Sequence, residues 1–337
     1  LDADFTGTDA NSLANSRGFA AGRRIKSAKE AKNMNRLYSV ESNLSQTGAN
    51  ADHRLRVAST NIPAFTQLLA SHILEGPTVP VGFSKIQHEW AKQCATDLKS
   101  KNGEALVVAG SHLSAETHKL VFAINEALGA NGKTIQYVEV ADSGAESIES
   151  LAEKLAASTV KTLFILGGNP AYNASGSVDW STVQGKAEVI RLGYAEDETS
   201  SPKQGKKPIL IAQSHYLESW GDGRTWDGAY VPIQPMLQPL FDGFSENEVL
   251  ARLAGDTKTQ DKDQIKATFT EISGEAGARP FNKWLAEGIL KGSTYAAITT
   301  SPVAAKLAAA KKPLATVAIL SREAIEVRYV PSAHTWD

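Results

Sequence analysis

The acidic and histidine residues of this 337-residue chain offer few arrangements that suit catalysis or metal binding. Asp2 and Asp4 form an Asp-x-Asp pair, which can hold a divalent cation in a sugar transferase when it follows a strand. Two acids in a loop are common and no third ligand is evident, so an ordinary structural role is favoured. The seven histidines include no i, i+4 pair of the kind that binds zinc on a helix, and the chain has no Gly-x-Ser-x-Gly nucleophile motif.

Cys94 is the only cysteine in the chain. A disulfide needs two thiols and an iron–sulfur cluster usually needs four, so this chain cannot carry a cluster of its own. The residue stands in an amphipathic helical pattern. We therefore predict a small buried apolar residue and not a reactive nucleophile.

Residues 129–134, Gly-Ala-Asn-Gly-Lys-Thr, resemble the end of a phosphate-binding P-loop. In a true P-loop a strand comes first and a helix follows, so that the amides of the helix N-terminus face the phosphate. Here a predicted helix precedes the motif and a predicted strand follows it. The order predicts an ordinary helix-to-strand turn.

The composition excludes some classes of partner. Hydrophobic residues make up 42% of the chain, charged residues 21%, and the net charge is −2, so nothing favours nucleic acid or an anionic membrane surface. No apolar run approaches the ~18 residues that a membrane span needs. We expect no direct insertion into a membrane.

Short β-branched runs alternate with helical stretches, which predicts an α/β fold made of two wound parallel-sheet (Rossmann-like) units. Strands are predicted at 36–42, 104–111, 134–140, 161–170, 187–194, 207–214, 315–320 and 324–330, and helices at 62–74, 84–99, 115–129, 146–158, 245–255, 263–272, 279–290 and 302–310. Residues 1–5 look like the last part of a strand whose beginning is missing.

The expected organisation has four segments. Residues 1–80 form the first wound unit, 81–103 a connector, and 104–255 the second unit, which carries a long surface loop at 213–243. Residues 256–337 form a C-terminal α/β segment that completes either unit.

Two stretches of the sequence have features that suit the binding of a ligand or of another protein chain. Gly167, Gly168 and Asn169 precede Pro170 at the end of a predicted buried strand, where two glycines permit close approach by a ligand or another chain. A tight strand-to-loop turn explains the same residues equally well. Residues 215–228 carry two tryptophans on an irregular segment, which is more typical of docking or packing than of chemistry.

Four blocks together resemble a known family. They are similar to the catalytic subunits of molybdopterin oxidoreductases, and more closely to the large iron–sulfur subunit of alternative complex III, a quinol-oxidising complex of bacterial electron-transfer chains. The blocks are 34–57, 166–174, 196–200 and 215–255. The resemblance implies two wound domains that cradle a paired pterin dinucleotide. It places Glu41 at a strand end facing the nucleotide, and Gly167, Gly168 and Asn169 on the matching loop of the second domain.

The chain departs from the family in ways that bear on function. It shows no motif for a molybdenum ligand and no N-terminal cluster motif, and the relatives in alternative complex III are thought to have lost the molybdopterin guanine dinucleotide. The resemblance therefore implies a chain without a cofactor, with the iron–sulfur clusters in a separate portion of the subunit.

The first functional hypothesis is a non-catalytic docking portion of such a subunit. Its partners would be the iron–sulfur domain, multihaem cytochromes and integral membrane subunits, at the periplasmic side of the bacterial inner membrane. One alternative is a fragment of an active molybdopterin-dependent oxidoreductase, such as a sulfur-compound reductase. Another is a stand-alone nucleotide-binding protein.

Overall fold

The computed structural model describes residues 1–140, 144–174, 176, 178–180, 184–202, 205–298 and 317–329. The chain divides into two compact units, one made of 1–137 with the residues from 297 onwards, the other of 138–296. This division differs from the expected one. The expected connector at 81–103 lies inside the first unit, and the expected C-terminal segment is shared between the two.

Within the described residues the helices and strands are, in chain order, α1 (Ser12–Ala21), β1 (Tyr38–Glu41), α2 (Gln46–Ala49), β2 (His53–Arg56), α3 (Ile62–Ser71), α4 (Lys85–Ser100), α5 (Ala115–Ala127), β3 (Tyr137–Val138), α6 (Ile148–Ala156), β4 (Thr162–Leu166), α7 (Pro170–Asn173), β5 (Glu188–Gly193), β6 (Ile209–Ala212), β7 (Gly221–Arg224), β8 (Tyr230–Ile233), α8 (Glu246–Ala254), α9 (Asp261–Ser273), α10 (Ala278–Glu287) and β9 (Ala297–Ile298). Short 3-10 turns lie at Ala28–Asn33, Ser59–Asn61 and Gln184–Lys186. The prediction of an α/β chain is confirmed, with parallel pairing within both units.

The sheet of the first unit is built on β1, which pairs in parallel with β2. On its other side the Asp2 amide donates to the Val40 carbonyl at 2.7 Å. The Leu1 amine in turn donates to the Val108 carbonyl, and the Gly110 amide donates to the Leu1 carbonyl, both at 2.9 Å. Residues 1 and 2 therefore make strand-like contacts, but the structure assigns no strand within the predicted 1–5.

The predicted strand at 104–111 is wrong, because the structure assigns no strand to these residues. We expected it to be apolar and buried on both faces, but its side chains alternate. Ala105 and Val107 are buried, while Leu106 and Val108 are 44% and 39% exposed. This period of two is typical of a chain segment with one solvated face.

Helix α3 lies at the centre of the first unit. Pro63 stands in its first turn, where a missing N–H costs nothing. The helix is apolar on most sides, so Ile62, Phe65 and Leu68 are fully buried, as expected of a core helix. Helices α4 and α5 pack against it.

The second unit contains a three-stranded parallel sheet in the order β4-β5-β6. The predicted strands at 161–170, 187–194 and 207–214 are confirmed with shorter bounds. One apolar cluster covers a face of this sheet, with Leu155 of α6 against Leu163 and Val189. Helix α8 begins at a capping box in which Ser245 and Glu248 satisfy each other's backbone amides.

The expected surface loop at 213–243 is wrong in part, because it contains the antiparallel hairpin of β7 and β8. Tyr230 on β8 is 2% exposed and stacks on Trp284 of α10, with ring centroids 4.7 Å apart. Phe269 and Phe281 complete an aromatic core beneath the hairpin. The predicted helices at 263–272 and 279–290 are α9 and α10.

Three predicted elements near the C-terminus cannot be compared in full. The helix at 302–310 lies outside the described residues, as do parts of the strands at 315–320 and 324–330. The described residues 317–329 contain no strand, so the remaining parts of those two predictions are wrong. Within the described ranges, no helix is both long and apolar enough to cross a membrane.

The aromatic core gives a test of the second unit. Trp284→Ala should lower the free energy of unfolding by about 3–5 kcal/mol, since it removes a large buried ring and leaves a cavity between Tyr230 and Phe269. Trp226, which is 73% exposed, provides the matched control, and its alanine variant should change stability by about 0.5 kcal/mol at most. Urea unfolding measures both. Equal effects of the two substitutions would contradict the placement of Trp284 in a core.

Candidate functional site

Glu41 ends β1 in the first unit, and its side chain is 2% exposed. Its carboxylate accepts from Arg54 Nε and from Ser45 Oγ, each at 2.5 Å. Gly48 packs against the same carboxylate, so that a Cβ added at this position would overlap Glu41 Oε1. Burial of a carboxylate requires such partners. The oxygens of Glu41 are therefore engaged within its own unit.

A second set of polar and charged side chains lies at the carboxyl edge of the first sheet. It consists of Asp2, Ser42, His112 and Arg328, and we call it the edge network. The Asp2 carboxylate contacts Arg328 Nη1 at 3.0 Å, His112 Nε2 at 3.1 Å and the Ser42 amide at 3.1 Å. Arg328 also donates to Ser42 Oγ at 2.6 Å. Ser42 and His112 each contact both Asp2 and Arg328. This geometry favours a charge-pairing role for the four residues over a Ser–His nucleophile.

A cavity of about 650 Å³ opens beside the edge network. Ser42 and Arg56, at the carboxyl ends of β1 and β2, line one part of it together with Asn61 from the turn before α3. Residues 317–320, Glu326 and Arg328 line another. Parallel sheets bind ligands at this edge, so the cavity has the expected position for a ligand.

In the second unit the turn after β4 is closed by the 196–200 segment. Asn169 Nδ2 donates to Glu198 Oε2 at 2.8 Å, and Thr199 Oγ1 donates to Asn169 Oδ1 at 2.6 Å. Gly167 and Gly168 have φ angles of +67° and +68°, which glycine adopts without strain. Two of the blocks that carry the family resemblance are thus in direct contact.

Arg191 anchors this turn from the central strand β5. Its side chain is 4% exposed and makes a two-pronged ion pair with Asp197. It also donates to the Gly168 carbonyl at 2.8 Å and to Ser200 Oγ. Burial by itself raises the pKa of Asp197, but the Arg191 guanidinium and the amides of Thr199 and Ser200 outweigh it, and the pKa lies below its ordinary value.

The residues expected to bind a pterin dinucleotide do not fit that role in this arrangement. The carboxylate of Glu41 and the amide of Asn169 already hold partners from their own units. A Cβ at Gly167 would lie 2.9 Å from Glu246 Oε1, so a side chain already approaches that glycine closely. Gly168 alone of the four faces open space, since a Cβ there would meet nothing within 4 Å.

The Asp-x-Asp pair is divided between two networks. Asp2 belongs to the edge network, and Asp4 accepts from the amides of Thr47 and Thr8 at 2.9 and 3.0 Å. Burial raises the pKa of Asp4, but these hydrogen bonds outweigh it and lower the pKa below its ordinary value. Within the described residues, no group of three or more His, Cys, Asp or Glu side chains could hold a metal ion.

Cys94 is buried on α4, as predicted. It packs against Leu69 and Ala95, and this burial raises the pKa of its thiol to about 12. A thiol of that kind is almost fully protonated at neutral pH and is a poor nucleophile. The P-loop-like segment 129–134 connects α5 to β3, which confirms the predicted helix-to-strand turn.

The two tryptophans of 215–228 differ in their environments. Trp220 is partly buried against the aromatic core, and Lys262 Nζ lies 4.9 Å from its ring centroid. Trp226 is 73% exposed. Only Trp226 therefore has the exposure that docking requires.

Comparison with known proteins gave no match, either to a family model or to a curated protein.

Sequence reasoning missed the two arginines on which the sheet edges depend. Arg191 stands inside an otherwise apolar strand, and a lone charge in such a strand requires a buried partner. The acidic 196–200 segment was the available signal for that partner. Arg328 gave no comparable signal, because its partner Asp2 is more than 300 residues away in the chain.

Removal of the Asp197 charge gives a pH-dependent prediction. Asp197→Asn should destabilise the protein by about 3 kcal/mol at pH 7, since it leaves the buried Arg191 guanidinium without its counter-charge. Because the folded pKa of Asp197 is lowered, its stabilising effect is full above the ordinary value of 3.8 and is lost as the pH falls through the lower folded value. The difference between wild type and variant should therefore shrink below about pH 4.

Urea unfolding at pH 7 and at pH 3 or below measures this effect. Glu198→Gln is the control, because Glu198 is exposed and adjacent, and it should have little effect at either pH. A stability difference for Asp197→Asn that does not change with pH would contradict the assignment.

Proposed function

We propose that this chain is the non-catalytic docking portion of a molybdopterin oxidoreductase-like iron–sulfur subunit in a quinol-oxidising respiratory complex. The observation that carries the proposal is an exposed apolar run at 236–241, which we call the docking run. Its large apolar side chains are 53–85% exposed: Met236, Leu237, Leu240 and Phe241. Contiguous exposed apolar surface of this kind marks interaction sites in soluble proteins.

The docking run is held in place by its backbone. The amides of Met236 and Leu237 donate to the Leu217 carbonyl at 2.8 and 3.0 Å, and the Leu240 amide donates to Glu218 Oε1 at 3.2 Å. Two prolines, at 235 and 239, further restrict the chain. A surface that is fixed before binding loses little conformational entropy on association.

The chemistry of the run favours a protein partner. Residues 228–241 carry no charged side chain. Charged residues are depleted at the centres of protein interfaces, where aromatic residues and methionine are enriched. The exposed Trp226 and Ile233 add to the apolar surface of the same unit.

The polar contacts of the candidate cofactor residues support the non-catalytic part of the proposal. Glu41 and Asn169 use their side chains to close their own units. The proposed partners are the iron–sulfur domain, multihaem cytochromes and integral membrane subunits. The proposed location is the periplasmic side of the bacterial inner membrane, without insertion into it.

The docking run can be tested in the assembled complex. Leu240→Ser combined with Phe241→Ser should leave the midpoint of thermal unfolding of the chain nearly unchanged but lower the co-purification of the cluster-bearing portion and the other subunits. Leu13→Ser is the matched control, because Leu13 is 88% exposed on α1 in the first unit. Unchanged assembly and quinol oxidation in the double variant would reject the docking role.

Metal analysis separates this proposal from an active molybdoenzyme. The full-length protein, purified with its partners, should contain iron but no molybdenum and no guanine nucleotide. Inductively coupled plasma mass spectrometry and nucleotide extraction measure these directly. Stoichiometric molybdenum would overturn the non-catalytic assignment while leaving the docking run untouched.

A further inference from the structure

Residues 22–36 lie between α1 and β1 in the first unit, and we call them the basic loop. The ends of the loop meet, because the Asn35 amide donates to the Gly22 carbonyl at 3.2 Å. Residues 24–36 are all exposed, and the 3-10 turn Ala28–Asn33 lies in the middle of the loop. The loop therefore has the form of an Ω-loop, a compact surface segment with neighbouring ends that frequently carries function.

The basic loop concentrates positive charge that the composition of the whole chain conceals. Residues 10–40 contain seven of the 35 lysine and arginine residues and only one of the 37 acidic residues, Glu30. The seven are Arg17, Arg23, Arg24, Lys26, Lys29, Lys32 and Arg36. The net charge of −2 gave no sign of a basic surface, because the remainder of the chain is net acidic.

Two cations of the loop hold it on the unit. Arg23 pairs with Asp52 on one side. Arg36 pairs with Asp97 of α4 on the other. Within the part of the chain that the structure describes, the other four cations of the loop form no ion pair: Arg24, Lys26, Lys29 and Lys32. The loop is thus fixed at its base and presents four cations to the solvent.

The single acid of the loop is used by its backbone. The Glu30 carboxylate accepts from the Lys26 amide at 2.9 Å, just before the 3-10 turn begins. Lys29 and Lys32 lie three residues apart on that turn, and residues with this spacing share one side of a 3-10 helix. Two of the four cations therefore point from the same face of the turn.

Apolar side chains are exposed among these cations, since Ile25 is 44% exposed and Met34 is 39% exposed. No aromatic residue occurs at 20–37, so the loop lacks the rings on which proteins stack single-stranded nucleic acid. Lysine is depleted at protein–protein interfaces. Clustered lysines with exposed apolar neighbours instead suit the surface of an anionic bilayer, where electrostatic attraction and shallow apolar burial add together.

We infer that the basic loop binds the surface of an anionic lipid bilayer, with its four unpaired cations on the headgroups and with Ile25 and Met34 in the interfacial layer. Such binding is peripheral, so the chain lies on the bilayer and does not cross it. The inference does not rest on the proposed docking function, because the docking run belongs to the other unit and lipid vesicles alone test the loop.

Sedimentation with vesicles measures the binding. The chain should bind vesicles of equimolar phosphatidylglycerol and phosphatidylcholine but not vesicles of phosphatidylcholine alone, and added salt should weaken the binding. The combination of Lys26→Gln, Lys29→Gln and Lys32→Gln should weaken it by about tenfold or more, since each lysine at an anionic surface contributes about fivefold.

The matched control removes three exposed lysines elsewhere in the first unit, through Lys85→Gln, Lys92→Gln and Lys119→Gln. The two triple variants have the same net charge, so a difference between them reports the position of the lysines. The control should bind the vesicles nearly as well as the wild type. Equal loss of binding in both triple variants would overturn the inference.

Glu30→Gln tests the loop by a gain of binding, which a folding defect does not mimic. Glutamine keeps an oxygen for the Lys26 amide but removes the only negative charge of the loop. Binding to the phosphatidylglycerol vesicles should therefore strengthen severalfold. Unchanged or weaker binding of Glu30→Gln would count against the loop as the site of contact.

A last variant separates a bilayer from other anionic partners. Ile25→Ser combined with Met34→Ser keeps every charge but removes the apolar contribution, so vesicle binding should weaken severalfold. No effect of this pair would overturn the bilayer assignment. Binding of polyglutamate or single-stranded DNA in preference to the vesicles would also overturn it, since the partner would then be a protein or a nucleic acid.

Discussion

The guanidinium of Arg191 lies on the central strand of the second sheet, where 4% of its side chain is exposed, and a buried cation there needs a counter-anion. Asp197 supplies the negative charge, and the Gly168 carbonyl accepts a further hydrogen bond from the same guanidinium. Because both partners lie in loops that follow strands, this one residue fixes the loop after β4 and the loop after β5 together. Asn169 and Glu198 then meet across the joined loops.

The first unit also pairs the charged side chains at the edge of its sheet, but with different residues. Glu41 at the end of β1 is paired with Arg54 on β2, and Asp2 is paired with Arg328. In each unit the edge at which parallel strands end is thus closed by charge pairs from the chain itself. Polar groups that could have received a ligand are engaged in holding the edge, and this is the physical reason to treat most of them as structural.

The sequence predicted those elements whose signals are local. Helix α8 has Ser245 and Glu248 at its start, and α3 and α9 have helical apolar patterns, so their positions were predictable. The hairpin was not, because β7 reads Gly-Asp-Gly-Arg and has no apolar alternation. The predicted site residues lie at strand ends as expected, but their polar partners come from other loops. Contacts such as Glu326 with Ser59 span the length of the chain and leave no local pattern to read.

The aromatic residues after residue 215 lie in two opposite environments, since Tyr230 is 2% exposed and Phe241 is 85% exposed. Tyr230 stacks on Trp284 inside the second unit, and this rigid base supports β8. A few residues later the chain turns outward, yet its backbone remains bound to Leu217 through the amides of the docking run. Binding residues are positioned most precisely when a packed element fixes the segment that carries them. The stacked ring therefore supports β8, the strand that leads directly into the docking run.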